Sequence, residues 1–364
     1  MLKESNLQIG LFGAFERHNF GDWLMAYCAS ELLEEKYTSA WIYDFDKFGE
    51  GINRDCGKYI HLNQFLSISK NPIVIHVGGE TLACSSGDAA LMAAHEVINE
   101  IVRPLHYVLP SSLNKIVIKR TFFGTGGIGV SGLSRQDAGY LKTSLESASW
   151  VSVRDRTSFQ NLQDLGINPI IHPDIVSVVS SVHPLSDFAP AEKSKLVFQI
   201  SSSLLKGRVE ETRDAFFKYF HEFESIKLVA AGIALGHDKL ESYLELANLV
   251  NKRRKNWISV LFDLDPIAIV EEIATAKLVV ATSLHFRIVA MSYGIPRISM
   301  FVHKAINYGE NWDLAEFGVN EYSQIGNALK SLGNFSGAEF REIGILRSTE
   351  VVKNWSEMVQ IVEK

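Results

Sequence analysis

The chain is poor in cysteine and in long apolar runs, and neither sign of charge is in large excess. Its 3 cysteines, Cys28, Cys56 and Cys84, stand 28 residues apart across 364 residues. Without a CxxC pair they match neither a zinc site nor a disulfide framework. No metal is therefore expected, and the setting is a reducing, cytoplasmic one. No run approaches the roughly 18 apolar residues that a membrane span requires. The opening Met1-Leu-Lys-Glu-Ser-Asn-Leu-Gln-Ile9 returns to polar residues too soon for a signal peptide. With 36 Lys+Arg against 42 Asp+Glu, the net charge of −6 excludes the basic footprint of a nucleic-acid binder. Small molecules or sugars are the expected partners. The basic run Lys252-Arg-Arg-Lys255 reads first as a helix C-terminus complementing its dipole, with an anion site or peripheral membrane contact left open.

What is present is a globular composition, 46% hydrophobic and 21% charged. At roughly 150 residues per domain the length suggests two domains, each with its own core. Short β-branched runs alternate with helix-period segments, the pattern of an α/β chain with parallel sheets. Strands are predicted at Leu7–Phe12, Trp41–Phe45, Pro72–Val77, Lys115–Lys119 and Trp150–Val153, and Ile170-Ile-His-Pro-Asp174 carries the chain to a boundary. After 183–195, a stretch of Ser, Pro and charge, the alternation restarts at Lys195–Ile200, Lys227–Gly232, Trp257–Phe262, Lys277–Ala281 and Arg297–Phe301. Helices are predicted over 134–147, 157–165, 208–224, 238–254, 265–276 and 284–293, the fifth opening with an Asp265 cap and Pro266. The expected domains are 1–182 and 183–334, two Rossmann-like folds facing across a cleft, with a helical tail over 335–364. Ligands belong where strand C-termini meet helix N-termini.

Gly124-x-Gly126-x-x-Gly129 follows a strand and precedes a helix, and Asp155 lies beyond the next strand, as a dinucleotide fingerprint requires. Against an NAD site, Arg154 crowds the place of the ribose-binding acid and the motif lies in mid-chain. A tight glycine turn lining a cleft is the plainer reading. His76, inside an apolar strand, reads as a core histidine, and His172 before Pro173-Asp174 carries no assignment.

More informative is Ala281-Thr-Ser-Leu-His-Phe-Arg-Ile-Val-Ala-Met-Ser-Tyr-Gly-Ile-Pro296, which sets Ser283, His285 and Arg287 at a strand-to-helix junction. There helix N–H groups and the dipole favour an anion. An imidazole can exchange a proton near neutral pH, and a guanidinium forks onto carboxylate or phosphate.

Four motifs carry a family resemblance. His18-Asn-Phe-Gly-Asp22, Val77-Gly-Gly-Glu-Thr-Leu82, Ser152-Val-Arg-Asp-Arg-Thr-Ser158 with Pro173-Asp174, and Thr282-Ser-Leu-His285 with Gly294-Ile-Pro296 resemble, in order and spacing, the polysaccharide pyruvyl transferase family. The resemblance implies a metal-independent, cofactor-free enzyme, similar in fold to GT-B glycosyltransferases. It would move the enolpyruvyl carbons of phosphoenolpyruvate (PEP) onto two hydroxyls of a sugar, in a cell-surface polysaccharide or its lipid-linked precursor, with loss of phosphate. It further implies that Arg154 binds the PEP anion and that His285 is the general acid/base. Ser283 and Leu284 would line the donor site, and Lys304 follows the family pattern after the last strand. Asn19, Asp22, Glu80 and Thr81 would bind the acceptor sugar, although Asp22 also reads as the cap of a helix starting at Trp23. Asp155 is expected to orient Arg154.

The chain departs from the family at two points. Many members carry Arg where this chain has Ser283, and Phe286 replaces the usual Gly. Arg287, one helical turn from Ser283, is the expected substitute. The alternatives are a GT-B glycosyltransferase that uses a nucleotide sugar and a non-catalytic glycan-assembly protein of the same fold.

Overall fold

A computed structural model describes residues 7–34, 37–44, 59–92, 103–185, 194–234 and 237–364. Cys56, Phe45 at the end of the second predicted strand, and 186–193 within the predicted seam lie outside the described residues. The chain divides into two compact units, Met1–Ile175 with Thr349–Lys364, and Val176–Ser348.

In the first unit the strands are β1 (Leu7–Phe12), β2 (Thr38–Tyr43), β3 (Tyr59–His61), β4 (Ile73–Val77), β5 (Ser112–Leu113), β6 (Ile116–Val117), β7 (Lys119–Thr125), β8 (Trp150–Val153) and β9 (Ile170–Ile171). Seven form a parallel sheet in the order β3-β2-β1-β4-β7-β8-β9, and β5 and β6 form a small antiparallel hairpin. The second unit holds β10 (Lys195–Gln199), β11 (Ser225–Leu228), β12 (Ile258–Val260), β13 (Leu278–Ala281), β14 (Arg297–Met300) and β15 (Gly318–Val319). They too are all parallel, in the order β12-β11-β10-β13-β14-β15. Runs such as Ile-Val-Ile-His-Val and Leu-Val-Val-Ala are apolar on both faces because helices cover both sides of such a sheet. Each sheet reverses its winding once, between β1 and β4 and between β10 and β13, and a crevice opens there at the strands' C-terminal ends.

Side-chain caps start the helices. Ser134 accepts Asp137 N–H, Asp155 accepts Ser158 N–H, and Asp265 accepts Ile267 and Ala268 N–H ahead of Pro266. The first helix, Phe20–Glu34, is buried nearly all round rather than amphipathic, with Trp23, Leu24, Met25, Ala26, Cys28, Ala29 and Leu33 inside. Burial pushes the Cys28 thiol up, which makes it inert packing. In the basic run, Arg254 donates to the carbonyls of His221 and Phe223 and lies 4.2 Å from the Trp257 ring centroid. That tie anchors a helix end. Among the described residues no helix is long and apolar enough to cross a membrane.

The unit boundaries differ from the expected 1–182, 183–334 and 335–364. Residues 176–182 go with the second unit because Ser292 Oγ donates to Ser177 O and accepts Ser180 N–H, at 3.0 and 3.1 Å. The tail is not a separate element. Helix Gly337–Glu363 buries Phe340 in the second unit's core, then buries Val351, Trp355, Met358 and Val362 in the first unit. There Trp355 meets Phe123 edge-on at 4.8 Å and Lys119 Nζ donates to Val362 O at 2.6 Å.

Candidate functional site

In the first unit the loops after β1, β4, β7, β8 and β9 converge at the switch point. Helix Phe20–Glu34 starts one turn earlier than expected, so Asn19, not Asp22, caps it, with Oδ1 accepting Gly21 N–H at 3.0 Å. Freed from capping, Asp22 crosses the crevice, where Oδ1 accepts Gly79 N–H at 3.1 Å and Oδ2 pairs with Arg17 at 3.4 Å. Glu80 accepts Ile128 N–H at 3.0 Å and meets Arg154 at 3.3 Å. Thr81 is buried, and its Oγ1 has no hydrogen-bond partner among the described residues.

Arg154 is 1% exposed. Its guanidinium lies 2.8 Å from Asp174, whose side chain is 0% exposed, and it reaches Glu80, 31% exposed, at the rim. The expected orienting role of Asp155 is corrected: its carboxylate accepts both Ser158 N–H and Ser158 Oγ–H at 2.8 Å, and Asp174 and Glu80 hold Arg154 instead. The Pro173-Asp174 motif was the sequence signal for that partner. One guanidinium between two carboxylates leaves this pocket short of positive charge, a setting suited to neutral hydroxyls.

The glycine stretch is filled from within the protein. A Cβ at Gly126 would stand 2.3 Å from Glu80 Oε1 and 2.9 Å from Gly79 O, and Gly127 N–H is taken by Ser158 Oγ at 2.8 Å. Glu80 therefore sits where a pyrophosphate would lie, and Asp155 is a helix cap, which rules against the dinucleotide reading. His76 is a core residue. Its Nδ1 donates to Thr121 O at 2.8 Å, its Nε2 accepts Leu109 N–H, and the ring stacks on Phe122 at 3.9 Å. Burial pulls it down to about 3. His172, bonded to Ser152 and Pro173, is likewise buried and pulled down to about 4.

In the second unit β13 ends at Ala281 and helix Leu284–Ser292 starts after Ser283. Ser283 stands at the N-cap without a side-chain cap bond, Leu284 is buried, and His285 is half-buried in the first turn. First-turn N–H groups point out of a helix end. Lys304, exposed, opens helix His303–Trp312 after the neighbouring β14. Between them Phe301 is held at φ 62°, a left-handed conformation costly for a bulky side chain.

Arg287 does not substitute for the missing family arginine. It is 2% exposed, and all its nitrogens are engaged: Nε with Asp313 at 2.8 Å, one NH with Ser299 at 3.0 Å, the other with Leu314 O at 2.8 Å. The reason is helical geometry, which points position 287 inward, toward a carboxylate already shared with Arg297. Burial tends to raise the Asp313 carboxyl, and Arg297 and Arg287 together hold it below its ordinary value. Gly309 is required here, since a Cβ would lie 2.3 Å from the guanidinium.

Two features of this edge escaped sequence reasoning. Gln199, the last residue of β10, sends its side chain to the β13 turn, and Arg208 covers Phe301 with its guanidinium 4.7 Å from the ring centroid. A polar residue ending an apolar run was the only signal for the first. Among the described residues no group of three or more His, Cys, Asp or Glu is placed to hold a metal ion.

Solved structures share the fold along nearly the whole chain. UDP-GlcNAc 2-epimerase from Neisseria meningitidis, bound to UDP-GlcNAc, aligns with TM-score 0.56 at 12% identity over 97% of this chain and 98% of its own. The Methanocaldococcus jannaschii UDP-GlcNAc 2-epimerase gives 0.57 at 11% over 93% and 98%, and Anabaena Alr3699/HepE, in complex with UDP and glucose, gives 0.58 at 11% over 98% and 99%. These likenesses establish a GT-B-like fold. No curated protein matches in sequence. Residues 19–302 match the sequence profile of the polysaccharide pyruvyl transferases, a span that takes in three of the four motifs whole, the first from Asn19 onward, and the switch point of the second unit. On that match, the chain belongs to the polysaccharide pyruvyl transferase family.

Proposed function

We propose that this protein transfers the enolpyruvyl carbons of PEP to two hydroxyls of one sugar, in a cell-surface polysaccharide or its lipid-linked precursor, as a cyclic ketal. The observation that carries the reading is His285, half-buried in the first turn of a helix at the switch point of the second unit. In this mechanism His285 delivers a proton to the PEP methylene, and the adjoining carbon becomes oxocarbenium-like. One sugar hydroxyl attacks that carbon, its C–O bond to phosphate breaks, and the second hydroxyl closes the ring. Of the two hydroxyl protons released, one balances the proton gained by the new methyl group and the other leaves with phosphate.

The helix N-terminus at Leu284–His285 and the Lys304 side chain supply positive potential for the donor. Arg154, assigned to the PEP anion by the family resemblance, is paired with Glu80 and Asp174 in the first unit. Asn19, Asp22, Glu80 and Thr81, grouped at the electronegative edge of the first unit, are assigned to sugar hydroxyls. No bound cofactor is required. Phosphate release from PEP with a pool of saccharide acceptors tests the reading, and His285→Ala should abolish it. Because the structural neighbours include proteins solved with UDP, thermal shifts with PEP and with UDP- and GDP-sugars belong beside that assay. Stabilisation by a nucleotide sugar alone would make the protein a glycosyltransferase. PEP binding without turnover on any acceptor would make it a non-catalytic relative.

A further inference from the structure

The switch point of the second unit is closed by one side-chain amide. Gln199 Oε1 accepts Thr282 N–H at 3.0 Å, Thr282 Oγ–H at 3.0 Å and Ser283 N–H at 2.8 Å. Two of these donors are main-chain N–H groups, so only the oxygen of the amide can face them. Its nitrogen must then find an acceptor on the other side. It finds Asp238 Oδ2 at 3.0 Å, which also accepts Ala231 N–H at 2.8 Å and lies 3.2 Å from the Tyr243 hydroxyl. Ser202 adds a main-chain hydrogen bond to the same carboxyl. Asp238 is 4% exposed and touches neither His285 nor the loop that carries it through any of these bonds.

We propose that Asp238 is a positioning residue for His285, acting through the Gln199 amide on the Thr282–Ser283 turn that begins the histidine's helix. The inference rests on the reading of His285 as the proton donor. The chain of contact is short: carboxylate, amide, two consecutive N–H groups, then the histidine two residues on. An amide without its acceptor can rotate, and its nitrogen would then confront the Thr282 and Ser283 N–H groups. The turn would have to move, and small displacements of a catalytic group lower the rate steeply.

Burial pushes the Asp238 carboxyl up to about 6. The groups facing it are Gln199, Tyr243 and the N–H groups of Ala231 and Ser202, with His237 and Lys239 its chain neighbours. Gln199 and the two N–H groups present donors, while the Tyr243 hydroxyl, 2.8 Å from Ile200 O and 3.2 Å from Asp238 Oδ2, can donate or accept. As pH falls through about 6 the carboxyl becomes neutral and a weaker acceptor for the Gln199 amide, which loosens the relay and should lower kcat.

The test compares wild type, Asp238→Asn and Gln199→Met, the second a change that keeps the volume and removes the relay. The readouts are kcat against pH at saturating PEP, melting temperature, and histidine-labelled NMR without substrate, with His285 assigned by its absence from His285→Asn. Both variants should lose about ten- to a hundredfold in kcat with little change in KM for PEP. Both should also lose the acid limb centred near 6, and the His285 signal should move in both while those of His76 and His172 stay. A Gln199→Met enzyme that keeps the acid limb, or a His285 signal unmoved in both variants, overturns the proposal. If Asp238→Asn fails to fold, Gln199→Met decides alone. If wild type shows no turnover of PEP, the functional reading fails, and the His285 signal still decides the positioning.

Discussion

Arg154 and Arg287 bring the same charge into the two units, and neither stands open to solvent. Arg287 is bound to Asp313 at 2.8 Å and shares it with Arg297. Removing one partner of a buried ion cluster typically costs about 3–5 kcal/mol. Arg287→Ala should therefore appear as a loss of several degrees or more in melting temperature, with PEP binding to the folded fraction unchanged. A selective loss of PEP affinity at unchanged stability would restore Arg287 as a substrate ligand. The buried histidines make a second expectation at this scale. His76 and His172 have ordinary values of 6.5 but are held down to about 3 and about 4 when folded, so below 6.5 the unfolded chain takes up protons that the folded chain refuses. Each therefore removes stability as pH falls from 6.5 toward 4, by about 1.4 kcal/mol per pH unit. Asp238, raised to about 6, contributes with the opposite sign in the second unit. Urea melts at neutral and mildly acid pH should show His172→Gln with a pH slope flatter by about one proton.

At the scale of elements, the turns that hold the site depend on close backbone approach. Gly126→Ala would drive a methyl into Glu80 and Gly79 O, and overpacking of that kind costs about 1–3 kcal/mol. Gly132, with nothing within 4 Å of its missing Cβ, is the matched control. Chemical denaturation of the two alanine variants should separate them, with Gly132→Ala inside about 0.5 kcal/mol of wild type. The helix caps were legible in the sequence: Asp265-Pro266 capped a helix as its spacing predicts. What was not legible was the cap of the first helix, which the sequence reading assigned to Asp22 and the structure assigns to Asn19. Asn19 and Asp22 are both good cap residues, and the choice fell to Asn19 because Asp22 has a buried N–H to satisfy at Gly79, 57 positions away. The short strands Tyr59–His61 and Gly318–Val319 also left no periodic signal, being too brief for alternation to show.

Across the whole molecule, the last helix belongs to both units. Deleting 349–364 removes the buried Val351, Trp355, Met358 and Val362, each worth up to about 1.5–3 kcal/mol of burial. Hydrogen exchange on the truncated chain should show β1, β4 and β7 losing protection while β10 and β13 keep theirs. Equal loss in both sheets would mean that the first unit does not depend on its returning segment.

The sequence by itself determined the α/β class, the two-unit organisation and the four motifs of the pyruvyl transferase family, because these depend on local periodicity and on short stretches of consecutive residues. It determined His285 at a helix start for the same reason. Only the tertiary structure decided that Arg287 faces Asp313 rather than a substrate, that Glu80 occupies the glycine turn, and that 349–364 returns to the first unit. It also decided that Gln199 and Asp238, 39 positions apart, meet beneath the histidine's turn. A side chain's partner is set by where strands lie side by side in a sheet, and strand order joins residues whose separation along the chain carries no information about contact.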